Sequence, residues 1–171
     1  MKGPAIPITI RPEEAGDEAT IHALTEAAFK DMPFSEGDEQ RVVDALRKDG
    51  DLTLSLVAED ETRIVGHIAF SPVTISDGAM GWYGLGPVSV WPELHHQGIG
   101  GTLVTRGIAD MRALGAKGIV LLGSNEYYPR FGFRHFAQLT YPGPPPEYFQ
   151  ALLLDGDMPS GKVDFARGFY P

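Results

Sequence analysis

The chain has 171 residues, of which 43% are hydrophobic and 22% charged, the proportions of one ordinary globular domain. It contains no cysteine, which excludes a disulfide framework, cysteine-ligated zinc, an iron–sulfur cluster and a cysteine nucleophile. The 14 basic and 23 acidic residues give a formal net charge of −9, which argues against a basic nucleic-acid-binding surface.

The sequence has no features of a membrane span or an export signal. Pro4 and Pro7 interrupt the N-terminal segment before an apolar run develops. No stretch approaches the roughly 18 apolar residues that a spanning helix needs. Together with the absence of cysteine, these features lead us to expect a cytoplasmic protein with no membrane partner and no nucleic-acid partner.

The first half of the chain is predicted to form two helices and an antiparallel sheet. Helices are predicted where apolar residues recur with helical spacing, and strands where they alternate. Pro87 lacks a backbone donor, so the third long strand is expected to carry a bulge. In chain order, the predicted elements are strand 8–11, helix 13–30, a helix from Ser35 or Asp38 to Lys48, and strands 52–58, 64–70 and 82–90.

The second half is predicted to begin with a long helix that connects two parallel strands. This helix joins strand 82–90 to a fully buried strand, which is the βαβ crossover of an α/β fold. The C-terminal residues 162–170 are expected to form either a last edge strand or a loosely docked tail. In chain order, the other predicted elements are helix 98–114, strand 118–123, a short helix near 126–131, a strand from about Phe133, an extended loop 141–146 and a strand at 148–154.

A glycine-rich turn connects strand 82–90 to the long helix. Pro92 ends the strand, and Gly98, Gly100 and Gly101 leave the backbone bare where the helix begins. The first N–H groups of a helix lack intrahelical partners, and the helix dipole adds about half a positive charge. This arrangement predicts a site for phosphate or pyrophosphate, the alternative being a turn that is glycine-rich without binding anything.

Other motifs of defined chemistry are incomplete. The dinucleotide-binding fingerprint lacks its third glycine after Gly98, and the segment 156–162 resembles a phosphate loop but is followed by Val163 instead of Ser or Thr. The adjacent His95 and His96 have no third ligand at metal-binding spacing, so no metal site is predicted. No serine lies in a nucleophile elbow.

Segment 85–103 resembles motif A of the GNAT superfamily, the N-acetyltransferases that use acetyl-CoA. Motif A reads [Gln/Arg]-x-x-Gly-x-[Gly/Ala] at the strand–helix turn, and residues 95–100 read His-His-Gln-Gly-Ile-Gly. His95 departs from the pattern, which weakens one side-chain contact but leaves the backbone site intact. Segment 125–133 resembles motif B, in which a tyrosine, here Tyr128, precedes a Gly-Phe pair by four residues. The chain is most similar to small predicted bacterial enzymes of this family.

The resemblance implies one α/β (α+β) domain over 1–171, with a core at about 8–154 and a C-terminal extension at 155–171. It implies a mixed sheet of six or seven strands, about four helices, and two strands that splay apart around an acyl-CoA cleft. Acetyl-CoA is the implied cosubstrate, with its pantetheine arm on one splayed strand and its pyrophosphate on the glycine-rich turn. The implied cofactor-binding residues are Val88, Ser89, Val90, His95, His96, Gln97, Gly98, Ile99, Gly100, Gly101, Thr102, Asn125 and Tyr128.

The resemblance also implies direct transfer of the acetyl group to a primary amine in a ternary complex. Tyr128 is the implied general acid that protonates the departing thiolate, with simple aromatic packing as its alternative role and Tyr127 as the competing tyrosine. The oxyanion is expected to bind a backbone N–H near Val90. An ordinary ammonium group must also lose a proton before it can attack, so a base is required.

The base is not selected by the sequence. Glu36 and Glu39 lie where the family's substrate lid usually lies, and they are our leading predictions for the catalytic base. Glu126 and Glu93 are further candidates, whereas His67 is expected to be a core residue.

The acceptor and the assembly are equally open. The acidic composition suits a cationic acceptor, which is either a small-molecule amine or a protein amine, and a homodimer is expected. Two alternatives to an enzyme of this kind are a non-catalytic acyl-CoA sensor or scaffold of the same fold, and a nucleotide-binding protein of another fold.

Overall fold

The structure, a computed structural model, describes residues 6–170, so the first five residues and Pro171 of the predicted domain lie outside the described residues. Within 6–170 there are three α-helices and nine strands. The helices are α1 (Glu18–Phe29), α2 (Glu39–Asp49) and α3 (Ile99–Ala113). The strands are β1 (Thr9–Pro12), β2 (Leu54–Glu59), β3 (Ile64–Pro72), β4 (Thr74–Ile75), β5 (Trp82–Val90), β6 (Gly118–Leu122), β7 (Leu139–Thr140), β8 (Phe149–Leu153) and β9 (Gly161–Asp164).

Six strands form a mixed sheet in the order β1-β2-β3-β5-β6-β8. The β5–β6 pair is parallel and the other pairs are antiparallel, as expected for a crossover through α3. Successive side chains of a strand point to opposite faces, so Leu56 packs in the cluster that contains α3 and Val57 packs in the cluster that contains α1 and α2. The predicted α/β class with a mixed six-stranded sheet is confirmed.

The parallel strands β5 and β6 separate toward their carboxyl ends. Their pairing is confined to Trp82–Gly84 of β5 and Gly118–Val120 of β6, although β5 continues to Val90. The predicted bulge lies in the continuation, because Ile68 pairs with Val88 and Phe70 with Leu85, so two residues of β5 oppose one of β3. The bulge and the short ladder together open a gap beside the last residues of β5.

Two helix predictions need correction. The first helix begins at Glu18 instead of about residue 13, because Gly16 has φ +101° and the backbone N–H of Glu13 binds Ser55 in β2. The second helix begins after Asp38, which is one of its two predicted start points, while Ser35 hydrogen-bonds the Glu39 carboxylate. The predicted fourth helix is only a 3₁₀ turn, Tyr128–Phe131.

The C-terminal part of the chain departs further from prediction. The expected strand from Phe133 is reduced to a single bridge between Arg134 and Ala151. An edge strand at the C-terminus is wrong, because β9 lies in the middle of a second, three-stranded sheet with the order β4-β9-β7. A following turn packs Gly168 against Leu46 of α2, whose backbone N lies 3.1 Å from the position of an added Cβ. No helix within residues 6–170 is long and apolar enough to cross a membrane.

A polar chain of hydrogen bonds runs beneath α2. Arg47 binds Glu13 at 2.8 Å, the Ser55 hydroxyl donates to Glu13 at 2.7 Å, and His67 Nε2 lies 2.8 Å from Ser55 Oγ. Because the Ser55 hydroxyl donates its hydrogen bond to the Glu13 carboxylate, the Ser55 oxygen accepts a hydrogen bond from His67 Nε2–H. His67 is fully buried, and this burial lowers its pKa to about 4.

We expect His67 to make the protein less stable in acid. An unfolded histidine titrates near pH 6.5, so between about pH 6.5 and 4 the unfolded chain binds more protons than the folded one. The free energy of unfolding should therefore fall as the pH is lowered, with about 3 kcal/mol lost to this group. Urea denaturation from pH 7 to 4.5 should show a shallower loss for His67→Gln and an unchanged loss for the exposed-site control His96→Gln. An equally steep loss in His67→Gln would contradict this assignment.

Candidate active site

A cleft of about 690 Å³ opens where β5 and β6 separate. Its walls are the end of β5, the turn into α3, the C-terminal end of α1 with the residues that follow, and the turn that contains Tyr128. The lining residues are Ala28, Phe29, Met32, Val88, Val90, Leu94, His95, His96, Gln97, Gly98, Ile99, Gly100, Gly101, Tyr127, Tyr128 and Arg130.

The turn into α3 presents backbone donors to this cleft. Gly98 caps the helix with φ +83°, a left-handed conformation that glycine adopts without steric cost. The first helical hydrogen bond runs from Thr102 N–H to Gly98 O at 3.1 Å, and the Thr102 hydroxyl binds the same oxygen at 2.9 Å. The N–H groups of Ile99, Gly100 and Gly101 come before Thr102, the first helical donor, so they have no intrahelical partner and are available to an anion.

His95 fastens this turn to the end of β5. Its Nε2 lies 2.9 Å from the carbonyl oxygen of Val90. A carbonyl oxygen only accepts hydrogen bonds, so Nε2 carries the proton and Nδ1 is the unprotonated nitrogen of the neutral ring. The next residue, His96, is exposed and has φ +64°, which carries the chain around the corner before Gly98.

Tyr128 forms the opposite wall of the cleft. Its ring lies against the end of β6, where a Cβ added to Gly123 would stand 2.6 Å from Tyr128 Cε2. Edge contacts with Tyr127 and Phe133 surround the ring, at 5.1 and 6.0 Å between centroids. Burial raises the pKa of Tyr128 to about 12, with a smaller contribution from Tyr127. The hydroxyl therefore stays protonated throughout the physiological pH range.

Several predicted cofactor residues lie apart from the cleft surface. Ser89 is buried between the lining residues Val88 and Val90, Thr102 is engaged with the backbone, and Asn125 is exposed after β6. The other predicted cofactor residues line the cleft.

The carboxylates predicted as bases also lie apart from it. Glu36 is exposed, the Glu39 carboxylate accepts a hydrogen bond of 2.6 Å from Ser35, and Glu93 pairs with Arg63 at 3.1 Å. Glu126 is exposed beside Ser124, whose hydroxyl accepts its N–H. The lining residues within 6–170 include no carboxylate.

Two of the lining residues that were not predicted are Met32 and Arg130. Met32 lies three residues after the end of α1, and Arg130 lies two residues after Tyr128. The Arg130 guanidinium stacks 4.3 Å from the centroid of the Tyr127 ring. The YPRF sequence was the available signal for Arg130, whereas nothing local indicated that α1 would reach the cleft. Among the described residues, no group of three His, Cys, Asp or Glu side chains could hold a metal ion.

The cleft, the turn and the divergent strands are those of an acyltransferase fold, and the family comparison agrees with this geometry. Residues 9–136 match the family model described as the acetyltransferase (GNAT) domain. The chain therefore belongs to the GNAT family and is an acetyltransferase, as motifs A and B predicted. The alternative of a nucleotide-binding protein with another fold is wrong.

Individual relatives extend the similarity over most of the chain. The uncharacterized N-acetyltransferase YhbS of Escherichia coli K12 is 36% identical over 140 residues, which cover 78% of this chain and 80% of YhbS. A crystal structure of YhbS in complex with CoA superimposes with a TM-score of 0.87, covering 100% of this chain and 96% of that one at 32% identity. A GNAT acetyltransferase from Brucella melitensis in complex with acetyl-CoA is 47% identical, with a TM-score of 0.85 and coverage of 95% and 98%.

Proposed function

We propose that the chain transfers an acetyl group from acetyl-CoA to a primary amine at the cleft between β5 and β6. The observation that carries the proposal is the meeting of three features at this cleft. The first is the edge of β5 from which β6 separates, and the second is the N-terminus of α3, which follows Gly98. The third is the side chain of Tyr128, whose pKa is raised by burial. The acetyl-CoA and CoA that the B. melitensis and E. coli relatives hold support the choice of cosubstrate.

The cosubstrate would be held mainly by the backbone. Its pyrophosphate binds the N–H groups of the 96–102 turn, where the helix dipole favours negative charge. Its pantetheine amides hydrogen-bond the exposed edge of β5 at residues 88–90, as an added strand would. Because neither contact needs a particular side chain, the departure at His95 is compatible with binding.

The transfer is a direct displacement at the thioester carbonyl. The neutral amine forms the new C–N bond, and a backbone N–H at the end of β5 stabilises the oxyanion of the tetrahedral intermediate. As the C–S bond breaks, the nitrogen releases its extra proton to water, and the electron pair of the bond passes to sulfur, which takes the phenolic proton of Tyr128. The tyrosinate then regains a proton from solvent, and its high pKa favours that recovery.

The ammonium proton would leave through water to a carboxylate outside the cleft lining. Glu36 and Glu39, which lie before and at the start of α2, stay our proposed bases, with water bridging them to the amine. The acceptor class is a cationic amine on a small molecule or a protein, in keeping with the net charge of −9.

A thermal shift experiment tests the cosubstrate. Acetyl-CoA at about 100 times its Kd should add about 2.7 kcal/mol of stability and raise Tm by about 5–10 °C. CoA should act similarly, whereas ATP and NAD should have little effect. A folded protein whose Tm does not respond to acetyl-CoA or CoA would overturn the proposal.

A further inference from the structure

The proposed cosubstrate carries much more charge than the cleft does. The pyrophosphate of CoA holds two negative charges at neutral pH, and its separate phosphomonoester adds up to two more. Among the lining residues that the structure describes, Arg130 is the one permanent cation, and its Nε is engaged with Tyr127 O at 2.8 Å. The chain itself has a net charge of −9. Backbone N–H groups supply only partial charges, so a further positive charge at the turn would strengthen binding.

Of the two histidines that line the cleft, His95 has one ring nitrogen fixed by a hydrogen bond. Its Nε2–H is held by Val90 O at 2.9 Å, which fixes the tautomer and leaves Nδ1 as a lone pair. In the neutral ring, this lone pair repels a phosphate oxygen. In the protonated ring, Nδ1–H becomes a charge-assisted donor, while the bond from Nε2 to Val90 is unchanged.

We propose that His95 binds a phosphate of the cosubstrate as an imidazolium, so that binding takes up a proton from solution. This inference rests on the proposed function. His95 stands at the motif A position where glutamine or arginine is usual. Neither of those residues could take up a proton on binding, because arginine stays charged and glutamine does not titrate.

The charged and titratable neighbours of His95 oppose one another. Glu93 lies two residues before His95, and its carboxylate favours the imidazolium, although it also pairs with Arg63. The His96 ring, 6.4 Å away between centroids, and Arg130 on the far wall disfavour it. Tyr128 and Tyr127 are neutral at the pH of the experiment, because burial raises both pKa values. A bound phosphate adds a negative charge that favours the imidazolium.

The affinity should increase as the pH falls. A ligand that binds the protonated form of a histidine more tightly raises the pKa of that histidine. Kd therefore decreases toward lower pH in the interval between the pKa in the free protein and the pKa in the complex. We expect about a fivefold decrease in Kd from pH 7.5 to 6.0, within the limit of tenfold per pH unit that a single proton imposes.

Isothermal titration calorimetry measures the proton directly. The ligand is 3′-dephospho-CoA, because its pyrophosphate has no proton to exchange in this range, whereas the phosphomonoester of CoA titrates there. Binding enthalpies in buffers with different ionisation enthalpies give the number of protons taken up. Wild-type protein should take up a fraction of a proton between zero and one, with the stated pH dependence of Kd.

Two single substitutions make the assignment specific. His95→Gln keeps an amide donor for Val90 O but does not titrate, so proton uptake and the pH dependence of Kd should disappear while binding persists. His135→Gln, at an exposed histidine outside the cleft lining, should retain both. Uptake that persists in His95→Gln, or wild-type binding with no uptake, would overturn the inference. Either result would leave the proposed function intact, whereas absence of binding at every pH would reject the proposed function itself.

Discussion

Replacing Tyr128 with phenylalanine should lower kcat by about 100- to 1,000-fold, which lies in the lower part of the range that general-acid groups contribute. The substitution removes one oxygen from a ring held by Gly123, Tyr127 and Phe133. The cleft should keep its shape, so the Kd for acetyl-CoA should change by less than about threefold. A loss in kcat without a loss in binding is the pattern of an interaction made only in the transition state.

Tyr127→Phe is the matched control. Tyr127 also lines the cleft, but its ring is covered by the Arg130 guanidinium. We expect this variant to retain most of the wild-type kcat. Thiol release can be followed with a disulfide dye, because the chain has no cysteine to react. A Tyr128→Phe enzyme with wild-type kcat on an accepted amine would remove Tyr128 from the chemistry and leave it as a packing residue.

Replacing Gly118 with alanine should destabilise the fold by about 4 kcal/mol, near the upper end of the effects seen when a packed core is overfilled. Gly118 opens β6 and pairs with Trp82 of β5. A Cβ at this position would overlap the edge of the indole ring, which is only 2% exposed. The overlap would disrupt the short hydrogen-bonded ladder that joins β5 to β6 just before the two strands separate.

A denaturant titration with two comparison variants tests this effect. Gly100→Ala is the control for the same change of residue, because the nearest heavy atom to its added Cβ is Val90 Cγ2 at 3.9 Å. It should leave the stability within about 1 kcal/mol of wild type. Trp82→Leu removes most of the obstructing ring, so Gly118→Ala should cost much less in that background than alone. Equal costs in the two backgrounds would show that the indole is not the cause.

The sequence carried enough information for the fold class and for the phosphate side of the cleft. β5 matched its predicted bounds, Trp82–Val90, and α3 began one residue after Gly98. Both depend on short-range chemistry: strand alternation, a proline that ends the ladder, and glycines whose backbone angles and N–H groups need no distant partner. Motif A lies in this segment, and motif B lies in the equally short segment 125–133. Because both motifs are local in the sequence, the resemblance identified the family correctly.

The rest of the site was decided by contacts between distant segments. Neither Glu36 nor Glu39 lines the cleft, which follows from how the segment between α1 and α2 packs. Met32 and Arg130 are almost 100 residues apart in the sequence, and they line one cleft because both segments pack beside the end of β5.

The C-terminal residues show the same limit most plainly. Local patterning predicted an edge strand or a tail, yet β9 pairs with both β4 and β7. A single strand of four residues encodes its own extended shape but not its partners, which are chosen by the nonlocal burial of Val163 in the core of the second sheet. The sequence alone thus determined the glycine-rich turn into α3 and the family of the enzyme. The tertiary structure alone decided which side chains share the cleft, because their proximity is set by packing across the whole sheet.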